Sequence, residues 1–404
     1  MAKLFRNDFH DGFGTWPLAY IPYSGADYGE IAAVAEAVGD GDDSAFYDAW
    51  VAAGDRAATE AEEAFAQGRR ISAREFFLRA SCFYAASYHL IYGEPVDPRL
   101  IAAFRKQIAA FDRALALGDP PVAPLRIPFE GAAMPAYLIP AEGQANAVRP
   151  LIIFTNGYDA TVTDLYFASA VAAARRGYHA LIFDGPGQGA MLYEQNVRLR
   201  PDWETVIATV VDFALTLPTV DPARIALSGW SLGGYLAPRA ASGEHRLAAC
   251  IADPGLWGIA DAFRGIAVKL GASAEEVKNL GTMDQAVIDR IWQIVTNDRK
   301  LRWSIVQRGF WVNGVADLRA FLQRSELFSM EGRAELIRCP TLLTMAENDL
   351  LGAGAPAFFE TLRCPKTLLR FTAAEGAGDH CEMMNRSLVN RRALDWLDGI
   401  FKNS

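Results

Sequence analysis

A chain of 404 residues that is 51% hydrophobic and 11% aromatic has ample apolar material for a large core, and its 23 Phe, 13 Tyr and 9 Trp are too many for a solvated coil. A formal charge of −9, from 39 Lys and Arg against 48 Asp and Glu, offers no basic surface to nucleic acid or to an anionic membrane. The five cysteines are scattered without a CxxC pair, which argues against a disulfide framework or a zinc site and for a reducing compartment. The five histidines leave few neutral-pH proton carriers. The opening MAKLFRNDFHDGFGTW has no apolar run after its basic residue, and no stretch approaches the roughly 18 apolar residues of a membrane span, so a cytoplasmic protein is expected.

Residues 1–120 read as a helical domain. IAAVAEAV, SAFYDAWVAAGDRAATEAEEAFAQG, SAREFFLRASCFYAASYHLIYG and DPRLIAAFRKQIAAFDRALALG each carry apolar residues at helical spacing. Ser44, Ser72 and Asp97 stand where N-caps belong, and Gly68, Gly93 and Gly118 where helices stop. Within the third stretch Tyr84, Tyr88 and Tyr92 recur on one helical face beside His89. Such a stripe can be core or pocket. GDPPVAP then punctuates the chain.

From residue 121 the pattern changes. LRIPFEG and MPAYLIP predict a hairpin turning at Gly131, and PLIIFTN, YHALIFD, ARIALSG, LAACIAD, PTLLTMA and KTLLRF predict strands. Helical stretches such as DLYFASAVAAARRG and DWETVIATVVDFALTL separate most of these strands. Alternation of this kind implies an α/β fold with a mostly parallel eight-stranded sheet, antiparallel at its start, covered on both faces. Between LAACIAD and PTLLTMA the chain is too long for a crossover. ADAFRGIAVKLG, SAEEVKNL, MDQAVIDRIWQIV and DLRAFLQRSELF predict a helical cap over about residues 256–335, rich in aromatics.

Gly229-Trp230-Ser231-Leu232-Gly233 is a G-x-S-x-G sequence between an apolar strand and a helix, the context of a nucleophile elbow that would lift the Ser231 hydroxyl above the sheet edge. Such a serine needs a base. Of the five histidines only His380 lies on a loop at the expected edge, after the last strand. Asp349, after PTLLTMA, is the natural group to orient it, with Glu347 and Asp379 as nearby substitutes. The order Ser231, Asp349, His380 is that of α/β-hydrolases. An oxyanion hole would take the backbone amide of Leu232 and one from the NGYDAT loop, where Gly157 permits close approach and Tyr158 is the expected donor. Phe183-Asp184-Gly185-Pro186-Gly187-Gln188-Gly189 is not G-x-G-x-x-G and reads as a tight strand-exit loop, not as a phosphate cradle.

GWSLGGY, FDGPGQG, NGYDAT and GAGDHCE together resemble an α/β-hydrolase group that includes 2,6-dihydroxypseudooxynicotine hydrolase, fungal heptaketide hydrolases and FrsA-type hydrolases. FDGPGQG is the most specific of these elements. Relatives often place Glu after it, where this chain has Ala190. The resemblance implies hydrolysis of a C–C bond next to a carbonyl, in a bulky aromatic or polyketide-like ketone, through an acyl-enzyme on Ser231. It also implies a further carboxylate beside the leaving group, for which Asp253 and Asp159 are the candidates, and a homodimer formed through the N-terminal domain. A carboxylesterase or amidase with the same triad is the alternative, followed by a lyase or a non-catalytic binder. Tyr88, Trp230 and Trp257, with Gly157 and Asp159, are expected to line the site of a small-molecule substrate. No metal or organic cofactor is expected, because Cys and His form no ligand set.

Overall fold

The computed structural model describes residues 3–402. Its centre is one eight-stranded sheet: β1 Leu125–Phe129, β2 Ala132–Ile139, β3 Arg149–Thr155, β4 His179–Phe183, β5 Val220–Trp230, β6 Ala249–Asp253, β7 Thr341–Ala346 and β8 Lys366–Phe371. The spatial order is β1-β2-β4-β3-β5-β6-β7-β8. β1, β2 and β4 pair antiparallel, and every pair from β4 to β8 is parallel. The hairpin turns at Glu130 and Gly131, both at positive φ.

Because strand side chains alternate, successive residues of β3 feed different cores. Ile152 and Phe154 join a core shared with the N-terminal helices, whereas Leu151 and Ile153 join Trp203, Val210, Leu227 and Tyr235 on the opposite face. The helical N-terminal region feeds both cores, through Phe83 and Phe111 on one face and through Leu100 and Phe104 on the other. Its long helices, Asp43–Ala66, Arg70–Ser87 and Pro98–Ala116, close around Phe46, Trp50, Phe83 and Phe111, all buried.

The predicted caps need correction. Asp42, not Ser44, caps the helix at Asp43, accepting from the Ala45 amide. The next helix begins at Arg70, ahead of Ser72, and Arg69 at its cap makes no side-chain bond. Asp97 does cap, through the Arg99 amide. The tyrosine stripe also breaks: the helix stops at Ser87, and a 3₁₀ turn, His89–Ile91, redirects Tyr92. Two short elements were not legible as helices, Asp8–Gly14 and the 3₁₀ segment Trp16–Tyr23.

The cap fills residues 254–340, with helices Ala260–Lys269, Gln285–Asn297 and Leu318–Ser325 around Leu280, Ile291 and Leu322. SAEEVKNL is only short 3₁₀ turns, and Trp303–Phe310 forms a π-helix that the sequence pattern did not reveal. That π-helix is one of the cap's contacts with the N-terminal region: Trp303 Nε1 donates to the His89 carbonyl at 2.8 Å, and the indole stacks on Tyr92. Among the described residues no helix is long and apolar enough to cross a membrane.

Candidate active site

β5 ends at Trp230 and the next helix starts at Gly233, so Ser231 and Leu232 make the whole turn. Ser231 sits at φ 58°, a conformation a non-glycine residue holds only where its surroundings impose it. Gly229 makes the turn tight enough, since a Cβ there would lie 2.1 Å from the Gly233 carbonyl oxygen. The Ser231 amide donates to Cys381 Sγ at 3.1 Å, which ties the turn to the loop carrying His380.

His380 Nε2 lies 3.0 Å from Ser231 Oγ, and Nδ1 lies 2.8 Å from Asp349 Oδ2. Asp349 is buried, and its other oxygen accepts from the Leu351 amide at 3.0 Å. The carboxylate is thus fixed at one edge while the imidazole spans to the hydroxyl. Hydroxyl, imidazole and buried carboxylate in this order can activate a serine for attack on a carbonyl. The two substitutes point elsewhere: Glu347 accepts from the Ala373 amide, and Asp379 from the Met384 amide.

The loop after β3 lies against this turn. A Cβ on Gly157 would stand 2.8 Å from the Leu232 amide nitrogen and 3.0 Å from Ser231 Oγ, so only glycine allows this approach. The FDGPGQG loop holds it from behind. Gln188 Nε2 donates to the carbonyls of Asn156 at 2.8 Å and Gly157 at 3.1 Å, and Gln188 Oε1 accepts from the Gly185 amide. A trans peptide sets the Tyr158 N–H antiparallel to the Gly157 carbonyl, hence away from Gln188. The Asn156 side chain accepts from Trp230 Nε1 and donates to Asp184. Asp184 is wholly buried, and desolvation, with the Asp164 charge second, pushes its carboxyl up to about 8.

The Ser231 hydroxyl opens into a cavity of about 230 Å³. Gly157, Asp159, Trp230 and Ser231 line it, as do Gly12 and Trp16 from the N-terminal segment and Met383 and Met384 after His380. Trp16 and Gly12 carried no sequence signal for a site, since nothing local marks residues that the fold brings in from the far N-terminal segment, and the two methionines had only their closeness to His380 in the chain to mark them. Asp159 Oδ2 accepts from Arg308 Nη1 at 2.6 Å, and the Arg308 guanidinium stacks on Tyr158 and Trp303. Asn313 Nδ2 adds a bond to the Tyr158 hydroxyl at 3.2 Å. The cap therefore grips the same loop that Gln188 holds from the sheet side.

Three expected pocket residues lie elsewhere. Asp253 is 2% exposed and is paired with the buried Arg386, with Thr344 Oγ1 donating to its other oxygen at 2.8 Å. It does not line the cavity, so it is not the carboxylate beside a leaving group. Burial pushes the neighbouring Glu382 carboxyl well up, with the Asp253 charge second. Tyr88 is fully buried and donates to Gln107 Oε1, and Trp257 packs edge-on against Phe358, both outside the cavity.

Fold and site together define an α/β-hydrolase, and the chain belongs to the alpha/beta hydrolase family, whose signature spans residues 152–391. It is 32% identical to "Hydrolase acrC" of Aspergillus aculeatus, covering 100% of this chain and 99% of that protein. It is also 32% identical to "20-hydroxy-prefusarin hydrolase FUS2" of Gibberella moniliformis, over 99% of this chain and 98% of that one. Among solved structures, the 2,6-dihydroxy-pseudo-oxynicotine hydrolase superposes with a TM-score of 0.73 at 22% identity, over 94% of both chains. The chain is thus an enzyme of the hydrolase class.

Proposed function

We propose that this enzyme cleaves a C–C bond adjacent to a carbonyl in a bulky aromatic or polyketide-like ketone, through an acyl-enzyme on Ser231. The observation that carries the serine chemistry is the hydrogen-bonded series Ser231–His380–Asp349, opening into a mostly apolar cavity. His380 Nε2 takes the Ser231 proton as Oγ adds to the carbonyl. Asp349 steadies the imidazolium. The amides of Leu232 and Tyr158 receive the oxyanion. Collapse breaks the C–C bond, and the carbanion leaves as its enolate and takes the proton from His380. A water, deprotonated by the same imidazole, then releases the carboxylic acid.

The choice of a C–C bond rests on the motif resemblance, and the relative named 20-hydroxy-prefusarin hydrolase supports a bulky substrate. The test is direct. A fluorophosphonate should label the wild type and not Ser231→Ala, and a panel of β-diketones and acylphenols should be cleaved with stoichiometric release of acid. Absence of labelling would overturn the serine mechanism. Fast turnover of short aryl esters, without cleavage of any ketone, would assign the same residues to an esterase.

A further inference from the structure

Asp159 is the one lining residue of the cavity whose carboxylate is only half used. Oδ2 is held by Arg308, and the backbone carbonyl accepts from the Tyr92 hydroxyl at 3.0 Å. Oδ1 is buried, and among the described residues no donor reaches it. Arg308, which holds the other oxygen, is itself stacked between Tyr158, at 4.6 Å, and Trp303, at 5.0 Å. A buried acceptor without a donor costs about 1–3 kcal/mol, more when it is charged, so the site favours any ligand that brings a proton to it.

The surroundings select the kind of donor. The adjoining guanidinium already neutralises the carboxylate and repels a cationic ligand, which leaves a neutral O–H. The rest of the wall is Trp16, Trp230, Met383 and Met384 with glycines, suited to a flat apolar body. The remaining acid, Asp379, has its carboxyl pushed up by burial and occupies its oxygens with the Met384 amide.

We propose that Asp159 Oδ1 is a recognition site for a hydroxyl on the substrate, so that the preferred substrates are hydroxylated arenes or enols presenting that O–H to Asp159 while their carbonyl faces Ser231. The inference rests on the acyl-transfer reading above. Asp159 binds, and Arg308 positions it.

The experiment uses matched aryl ketones and aryl esters carrying a hydroxyl at the ortho, meta or para position, each against its methyl ether. In the wild type at least one hydroxyl position should raise kcat/KM by tenfold to a hundredfold over the ether, as expected for one hydrogen bond to a charged group. In Asp159→Asn, Arg308 retains the amide oxygen and the NH₂ turns to the cavity, so this preference should vanish or invert toward the ether, while fluorophosphonate still labels Ser231. Calorimetric binding to Ser231→Ala repeats the comparison with Asp159 intact: the phenol should bind at least tenfold tighter than its ether. An unchanged preference in Asp159→Asn, or labelling and turnover without any hydroxyl preference in the wild type, overturns this inference alone. A wild type that neither labels nor turns over any of these compounds overturns the acyl-transfer reading with it.

Discussion

Alanine at position 157 puts the oxyanion geometry to a quantitative test. Its Cβ would stand 2.8 Å from the Leu232 amide nitrogen, 2.8 Å from Ser231 Cβ and 3.0 Å from Ser231 Oγ. Carbon contacts are comfortable near 3.5 Å, so the overlap is about 0.7 Å. None of the atoms it meets is the free end of a flexible side chain. The turn at Ser231 is itself packed to the limit by Gly229, so the Gly157 loop must yield. Retreat by that distance would withdraw the Tyr158 amide, which we propose receives the oxyanion together with the Leu232 amide. Losing one preorganised donor costs about 10²–10³ in kcat. The overpacking should cost about 1–3 kcal/mol of stability. The assay is kcat and KM on an activated aryl ester, with urea denaturation on the same preparation. Expected is a kcat at least a hundredfold down, a smaller change in KM, and a folded protein. A Gly157→Ala enzyme with kcat within threefold of wild type would refute the assignment of this loop to the oxyanion.

Two further outcomes concern buried charge. Arg386→Met should lower unfolding free energy by about 3–5 kcal/mol, because it leaves the buried Asp253 carboxylate without its counter-charge, and Asp253→Asn/Arg386→Met should recover part of that loss; urea titration measures both. Asp184, at about 8 in the folded chain against 3.8 as its ordinary value, holds a proton that the unfolded chain releases between those limits. Its contribution to stability is therefore greatest below pH 4, falls as pH rises through 4 to 8, and is flat above. Urea midpoints across pH 5 to 9 should decline, and Asp184→Asn should flatten that decline; an equal slope in the variant would count against the assignment.

What the sequence made legible was whatever local pattern determines. Eight strands and their parallel order follow from continuous apolar runs alternating with helices, and the turn at Ser231 from a strand, small residues and a helix in succession. His380 stood out because it alone lies on a loop at the expected sheet edge, while His10 and His89 fall in the N-terminal region, His179 begins a strand and His245 follows the helix after Ser231, and the structure brings His380 within hydrogen-bonding distance of Ser231 and Asp349. Asp253 misled because an acid at a strand's C-terminal edge looks the same whether it faces a substrate or a cation. Its cation, Arg386, lies 133 residues further on. Trp16 reaches the cavity, and Arg308 reaches Asp159 on its wall, only through the docking of the N-terminal segment and the cap, and no spacing rule encodes that. Asp42 and Ser44 stand two positions apart and are similarly apt as N-caps, so residue type alone did not separate them.

The clasp on residues 156–159 has a consequence for how the enzyme can change. Gln188 fixes the loop from the sheet, while Arg308 and Asn313 fix it from the cap. A lid that swung freely would take Arg308 with it and release the backbone beside Ser231. The cap therefore does more than stand beside the site: through Arg308 and Asn313 it shares in shaping the loop that lies against Ser231. Grafting a foreign cap to alter substrate choice would have to carry across its arginine and asparagine as well, or that loop would lose its cap-side ties.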